Sequence, residues 1–117
     1  MSESVLDTDE LLRRVMFTNP SYVRPDQTVT SFAFKPRQNE NGLSVDISRL
    51  TTYQKSIKDR LNYRLYSLKA SFVRGIGLDC IHDPQDDNNS HALIIGNITN
   101  STSKKLSKAA FRIPFPE

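Results

Sequence analysis

Residues 78 to 95 read LDCIHDPQDDNNSHALII, and this stretch decides the predicted fold. Two short apolar segments, Leu78 to His82 and His91 to Ile95, flank a run from Asp83 to Ser90 in which the residues favour a turn. The second segment is β-branched and short, which is typical of a central strand buried on both faces. The stretch therefore predicts two strands that pair as an antiparallel hairpin.

Outward from this hairpin, the alternation of apolar and polar residues predicts three further strands. They are Thr28 to Lys35, with Phe32 and Phe34 facing inward, then Leu43 to Ile47, and finally Arg64 to Arg74.

Three segments have the periodicity of amphipathic helices. Thr8 is the predicted N-cap of the first, which carries an apolar stripe from Leu11 to Met16. Thr51 or Thr52 caps the second, which runs to about Tyr63. Its helical spacing continues through Leu65 and Leu68, so Tyr63 to Leu68 fits either a helix or a strand. The third helix follows Ser103 and ends before Pro114.

These elements predict a single compact α+β domain over residues 1–117, with a central, mostly antiparallel sheet of about five strands and N-terminal, middle and C-terminal helices. Residues 1–8 and 114–117 are expected to be loosely ordered. The predicted core consists of Leu12, Val15, Phe32, Phe34, Leu43, Val45, Ile57, Leu61, Leu68, Ala70, Phe72, Leu78, Leu93, Ile95, Leu106, Ala109 and Ile113.

Composition indicates an ordinary globular protein in a reducing compartment. The chain has 117 residues, a net charge of +3 and a single cysteine, Cys80, which excludes an internal disulfide framework. Its N-terminus has no apolar signal segment, and its longest apolar run is too short to cross a bilayer. We therefore expect a cytoplasmic protein that does not enter a membrane.

The hairpin also holds most of the groups capable of chemistry. Its two histidines, His82 and His91, are expected near each other at the mouth of the hairpin, where they could serve as general acid and base in a metal-independent ribonuclease. Cys80 and His82 on one strand face suggest a divalent metal site, but no known ligand spacing is present. The simpler interpretation is a solvated acidic turn, with no metal and no cofactor.

Basic residues are concentrated in two parts of the chain. Residues 49 to 74 carry seven basic residues against one acidic residue, and the last helix adds four more. Such a set predicts a face that binds the phosphate backbone of nucleic acid, with Tyr53, Tyr63 and Tyr66 available to stack on bases. The set comprises Arg49, Lys55, Lys58, Arg60, Arg64, Lys69, Arg74, Lys104, Lys105, Lys108 and Arg112.

No motif identifies an enzyme, and this favours a non-catalytic protein-interaction module, such as an adaptor or a neutralising accessory subunit. Segregated basic and acidic stretches would steer a partner protein or a second copy of the chain. An edge strand at Thr28 to Lys35 would extend a partner's sheet. RNA binding through the basic residues is the first alternative, and a ribonuclease that uses His82 and His91 is the second.

Four segments resemble the landmarks of short bacterial proteins to which we can attach no activity. They are Ser31 to Phe34, Gly42 to Asp46, Val73 to Leu78, and Asp83-Pro84 followed by His91 to Ile94. The resemblance spans about Leu11 to Ala110 and implies a bacterial origin. It carries over no fold, cofactor or site residue.

Overall fold

Six antiparallel strands form one sheet, with the spatial order β4-β5-β2-β1-β3-β6. The computed structural model describes residues 4–36, 41–59 and 61–114. The strands are β1 Glu10–Met16, β2 Leu43–Ile47, β3 Tyr63–Lys69, β4 Asp79–His82, β5 His91–Ile95 and β6 Phe111–Arg112. The helices are α1 Tyr53–Ile57, α2 Ala70–Gly75 and α3 Asn100–Ala109. The α+β class and the single domain are confirmed, with six strands in place of about five.

The two faces of the sheet are covered unequally. On the core face, Leu11, Leu43 and Ile94 belong to a large apolar cluster that also includes Leu106 of α3 and Val73 of α2. On the second face, a smaller cluster forms around Leu12, Ile57 and Leu65 under α1. Since side chains alternate along a strand, the register fixes the face of every strand residue.

The predicted N-terminal helix is wrong, because Leu11 to Met16 form strand β1. This strand pairs with β3 along its whole length and with β2 near its start. Leu11 and Val15 are buried on the core face, while Leu12 is buried on the second face. A strand that is apolar on both faces loses strict alternation, and here its pattern coincides with a helical stripe.

The predicted strand at Thr28 to Lys35 is also wrong. Residues Ser31–Phe34 form a 3₁₀ turn instead, and its Phe34 carbonyl accepts a 2.9 Å hydrogen bond from the Ser103 hydroxyl of α3. Phe34 is fully buried as predicted, but Phe32 is 55% exposed because the turn places the two rings on different sides. This segment therefore offers no edge strand to a partner.

The middle of the chain changes structure earlier than predicted. Thr52 is confirmed as an N-cap, since its hydroxyl accepts from the amide of Lys55, but α1 ends at Ile57 and leaves Leu61 78% exposed. The segment predicted as one strand from Arg64 to Arg74 divides into β3 and α2. Tyr63 to Leu68 is thus strand.

The C-terminal helix begins earlier and ends sooner than its predicted bounds. Thr99 caps α3, with its hydroxyl 3.2 Å from the amide of Thr102, whereas Ser103 lies inside the helix. After Ala109 the chain extends into β6, which pairs with β3 and adds the sixth strand. The predicted strand His91 to Ile95 is present, but only its core face is fully buried, at Ala92 and Ile94.

The N-terminal segment that the structure describes contributes one residue to the core, and the loose order expected of residues 1–8 stays a prediction. Val5 is 6% exposed within the core cluster, while residues 1–3 and 115–117 lie outside the described residues. None of the helices in the described ranges has the length and apolar character needed to cross a bilayer.

Candidate functional site

The β4–β5 hairpin forms as predicted, but it does not bring its two histidines together. His82 pairs with Ala92 across the hairpin, so His82 and His91 point to opposite faces of the sheet. His82 is 8% exposed on the core face, with Nε2 2.6 Å from the carbonyl oxygen of Asn89. A shared role as acid and base needs both imidazoles at one substrate, and this geometry gives that role no support.

Cys80 and His82 do share the core face, and both are buried. Burial raises the pKa of the Cys80 thiol, which disfavours the thiolate that would bind a metal. In residues 4–36, 41–59 and 61–114, no group of three or more His, Cys, Asp or Glu side chains is arranged to hold a metal ion.

Two arginines of the predicted basic face lie in ion pairs with aspartates near the N-terminus. Arg49 Nε is 2.7 Å from Asp9, a carboxylate that is only 5% exposed. Arg74 is 2.6 Å from Asp7 and 3.0 Å from Asp79. We call this cluster the N-terminal clamp, because the two guanidinium groups also donate to the carbonyl oxygens of residues 4 and 5.

The charges of the clamp stabilise one another. Burial alone would raise the pKa of Asp9, but hydrogen bonds from Arg49 and from the amide of Leu6 outweigh it and hold that pKa below its usual value. The hydrogen bond from Arg74 likewise lowers the pKa of Asp79. The clamp is therefore a structural feature, and its arginines are committed to carboxylates.

The other members of the predicted basic face are spread over the molecule. Arg64 stacks on Phe17, with 3.9 Å between the guanidinium carbon and the ring centroid. Lys55 and Lys58 are exposed on and after α1, and Lys69 is exposed at the end of β3. Arg60 lies outside the described residues.

Three of the predicted basic residues do converge, on a groove of about 690 Å³ between α3, β6 and the loop of residues 24 to 31. This basic groove is lined by the cationic side chains of Arg24, Lys104, Lys108 and Arg112. Among the described residues, no Asp or Glu lines it. Lys105 is exposed on the same helix but does not line the groove.

Neutral groups fix the floor and one wall of the basic groove. Tyr66 is buried, and its hydroxyl donates to the carbonyl oxygen of Gln27 at 2.9 Å. Arg24 donates to the Thr28 hydroxyl and to the Val29 carbonyl. The nearby carboxylate of Asp26 accepts from the hydroxyl and amide of Thr28, and these bonds lower its pKa. Arg24 is thus held in place without a carboxylate in direct contact among the described residues.

An aromatic side chain completes the basic groove. Phe111 of β6 lines the groove and is 51% exposed. Few of the large apolar side chains that the structure describes are so exposed. The tyrosines predicted to stack on bases are placed differently, since Tyr53 and Tyr63 pack against the small cluster on the second face and Tyr66 is buried.

Arg24 and Phe111 were missed by the sequence prediction for separate reasons. Arg24 lies in a connector whose Pro25-Asp26 pair signals only a turn, and no pattern ties it to α3. Phe111 was assigned to the end of a helix, although the alternation of Phe111, Arg112 and Ile113 before a proline is also typical of a short edge strand.

Comparisons of this chain with protein-family models, with curated proteins and with solved structures found no match.

Proposed function

We propose that this protein binds single-stranded nucleic acid through the basic groove. The observation that supports this proposal is the convergence of four cationic side chains on one concavity whose described lining includes no carboxylate. Cations that line one concavity side by side repel one another, so such a site is complementary to a polyanion. A phosphate backbone supplies that charge and releases counterions when it binds.

The shape of the basic groove favours a single strand over a duplex. Lys104 and Lys108 are four residues apart on α3 and therefore follow one another along the same side of the helix. Phe111 lies beside them, exposed, where the face of an unpaired base can stack on its ring. In a duplex the bases are already stacked and paired, and Phe111 would have no such partner.

The test is the salt dependence of binding to a fluorescent single-stranded oligonucleotide, measured by anisotropy. If all four cations contact phosphates, the logarithm of the binding constant should fall with the logarithm of salt concentration with a slope of about −3. Lys108→Gln should reduce the magnitude of that slope by about 0.7, because one phosphate contact is lost. Binding that does not change between low and high salt would contradict the proposal.

Lys105→Gln is the matched control for this experiment. It removes the same charge from the same helix, but Lys105 does not line the basic groove. We expect it to leave the slope nearly unchanged, so equal effects of the two variants would mean that net charge, and not the groove, governs binding.

Interaction with a second protein, favoured by the sequence, stays a prediction. The segment first expected to mediate it, Thr28 to Lys35, is not an edge strand, and at the β4 edge the Cys80 amide is already bonded to the Asp79 carboxylate. A bacterial and cytoplasmic setting belongs to the same prediction. Co-purification of the tagged chain from its host, before and after nuclease treatment, separates a protein partner from one held through RNA.

A further inference from the structure

A second concavity lies on the second face of the sheet, between β1, β2, the end of α1 and the loop of the β4–β5 hairpin. This hairpin cavity has a volume of about 270 Å³ and shares no lining residue with the basic groove. Its described lining carries positive charge on Arg13, Arg14 and Lys58 and negative charge on Asp46 and Asp87. Its volume falls just below the usual range of about 300–1,000 Å³ for small-molecule sites.

The buried carboxylate of the hairpin cavity is already satisfied. Asp46 is 7% exposed, and its two oxygens accept from the Ser56 hydroxyl at 2.6 Å and from the Asn88 side-chain amide at 2.9 Å. Each oxygen therefore has a donor from the protein. Asp46 fixes the walls of the cavity and leaves the ligand to be recognised by the other groups.

His91 contributes one ring nitrogen to the hairpin cavity. Its Nδ1 is 3.0 Å from the carbonyl oxygen of Asp83 and 3.2 Å from the carboxylate of the same residue. Both are acceptors, so Nδ1 carries a proton and donates it to them, and Nε2 is the ring nitrogen left for a ligand. Within the described residues, Nε2 makes no hydrogen bond, and His91 lines the cavity.

Lys58 reaches the hairpin cavity from a strained turn. Its φ of 61° and ψ of −53° lie outside the regions that side-chain-bearing residues favour. The amide of Asp59 donates to the carbonyl oxygen of Ile57 at 2.6 Å, which closes a three-residue γ-turn around Lys58. This turn type is rare and strained, and strain of this kind is concentrated where residues contact ligands. In the described structure the Lys58 ammonium has no carboxylate partner.

Arg14 supplies the second cation, and neutral groups hold it in place. One guanidinium nitrogen donates to the carbonyl oxygen of Ser56 at 3.2 Å, and the guanidinium lies 5.2 Å from the ring centroid of Tyr63. Neither contact cancels its charge. Arg14, Lys58 and the ring of His91 therefore border one small polar cavity, whose lining also includes Arg13 and the carboxylates of Asp46 and Asp87.

We propose that the hairpin cavity binds a phosphate group, with Arg14 and Lys58 neutralising its charge and His91 Nε2 accepting a hydrogen bond from its protonated oxygen. A hydrogen phosphate has both negative oxygens and an O–H, which matches this combination of cations and acceptor. Sulfate carries no proton at neutral pH and would leave Nε2 without a donor. The ligand is free inorganic phosphate, because a phosphate monoester loses its second proton at a pKa of about 6 and mostly lacks the O–H at neutral pH.

The test is an NMR titration of amide shifts in the full chain with inorganic phosphate, glycerol phosphate and sulfate as separate probes. We expect shifts in β5, the hairpin loop and the end of α1, with sulfate binding at least about tenfold more weakly than phosphate. Glycerol phosphate, whose phosphate mostly lacks an O–H at neutral pH, should bind more weakly than inorganic phosphate, and equal or tighter binding would contradict the hydrogen bond to Nε2. Absent shifts in these segments, or equal affinity for sulfate and phosphate, would overturn the proposal.

Variants separate the cavity from the fold and from the basic groove. Lys58→Gly removes the ammonium while glycine accepts the turn's positive φ, so it should fold and lose about tenfold in phosphate affinity. Arg14→Gln should cause a similar loss, and Lys55→Gln, an exposed neighbour that does not line the cavity, should cause none. Phosphate binding unchanged in Lys58→Gly and Arg14→Gln would also overturn the proposal. Lys108→Gln should leave phosphate binding intact, so failure at the groove and failure here are distinguishable.

Discussion

Two groups of basic residues, the N-terminal clamp and the basic groove, have opposite surroundings in this molecule. In the clamp, Arg49 and Arg74 face aspartates at 2.6 to 3.0 Å. In the basic groove, Lys104, Lys108 and their neighbours line a concavity with no described carboxylate. Residue type and local charge along the chain do not distinguish the two groups. The position of the nearest carboxylate does.

Because of this difference in surroundings, we expect the clamp arginines to contribute to stability and the groove cations to contribute to ligand binding. A cation paired with a buried carboxylate contributes to folding, and removing it leaves the partner's charge desolvated. A cation among other cations contributes little to folding and keeps its charge available for a ligand. Variants of the clamp should therefore change the free energy of unfolding, and variants of the groove should change nucleic-acid affinity.

The largest expected effect is on stability, from Arg49→Met in the clamp. Methionine keeps part of the apolar stem but leaves the Asp9 carboxylate, which is 5% exposed, without its guanidinium partner. Because the Arg49 side chain itself is 36% exposed, we expect a loss of about 2 kcal/mol, less than for a fully buried pair. Urea denaturation followed by circular dichroism measures it.

Lys105→Met serves as the control, since Lys105 is exposed and outside both regions. It should change the free energy of unfolding by less than about 0.5 kcal/mol. If Arg49→Met changed the free energy of unfolding as little as Lys105→Met, the clamp would not differ from an ordinary surface ion pair.

Lowering the pH should reduce the extra unfolding free energy that the clamp gives the wild type over Arg49→Met. The pKa of Asp9 is lowered in the folded state, so the stability it contributes is present above the unfolded-state pKa of about 3.9 and is lost as pH falls through the lower folded value. In Arg49→Met, the burial that raises the pKa of Asp9 remains and is opposed only by the Leu6 amide bond and the charge of Arg74. The gap in unfolding free energy between the two proteins should therefore narrow, by about 1 kcal/mol or more, between pH 5 and pH 3. A constant gap would contradict the assigned role of Asp9.

Local alternation was enough to predict part of the fold. Together with short apolar runs bounded by turn residues, it identified β2, β4 and β5. It failed at β1, where burial on both faces imitates a helical stripe, and at Ser31–Phe34, where one phenylalanine enters the core and the other does not. The structure of both segments depends on contacts with residues distant in sequence, and local periodicity carries no information about those contacts.

The candidate site was harder to predict than the fold. Lys104, Lys108 and Arg112 were identified from the sequence, together with Lys105, because basic residues are concentrated in the predicted last helix. Arg24, which is distant in sequence, joins them only through the tertiary fold. Arg49 and Arg74 looked equivalent to them until the structure placed aspartates from the N-terminal segment beside them.

A smaller effect is expected on oligonucleotide affinity, where loss of the Phe111 ring should matter and loss of the Phe32 ring should not. Phe111→Ala removes a stacking surface and should weaken oligonucleotide binding by about 1.5 kcal/mol, roughly tenfold. Phe32→Ala is the matched control, because Phe32 is 55% exposed, close to the 51% of Phe111, but does not line the basic groove. Anisotropy titrations of both variants measure the difference, and equal losses would remove Phe111 from the site.

The smallest expected effect is on stability, from neutralising the groove itself. Lys104→Gln with Lys108→Gln removes two exposed charges whose described surroundings in the groove are cationic or neutral, so no folded-state ion pair is lost there. Relief of repulsion and the slightly changed helix propensity are both small, and we expect unfolding free energy to stay within about 0.5 kcal/mol of the wild type. The same protein should bind oligonucleotide with a salt slope reduced in magnitude by about 1.4. A stability loss as large as that of Arg49→Met would mean that these lysines are structural, and the distinction between clamp and groove would not hold.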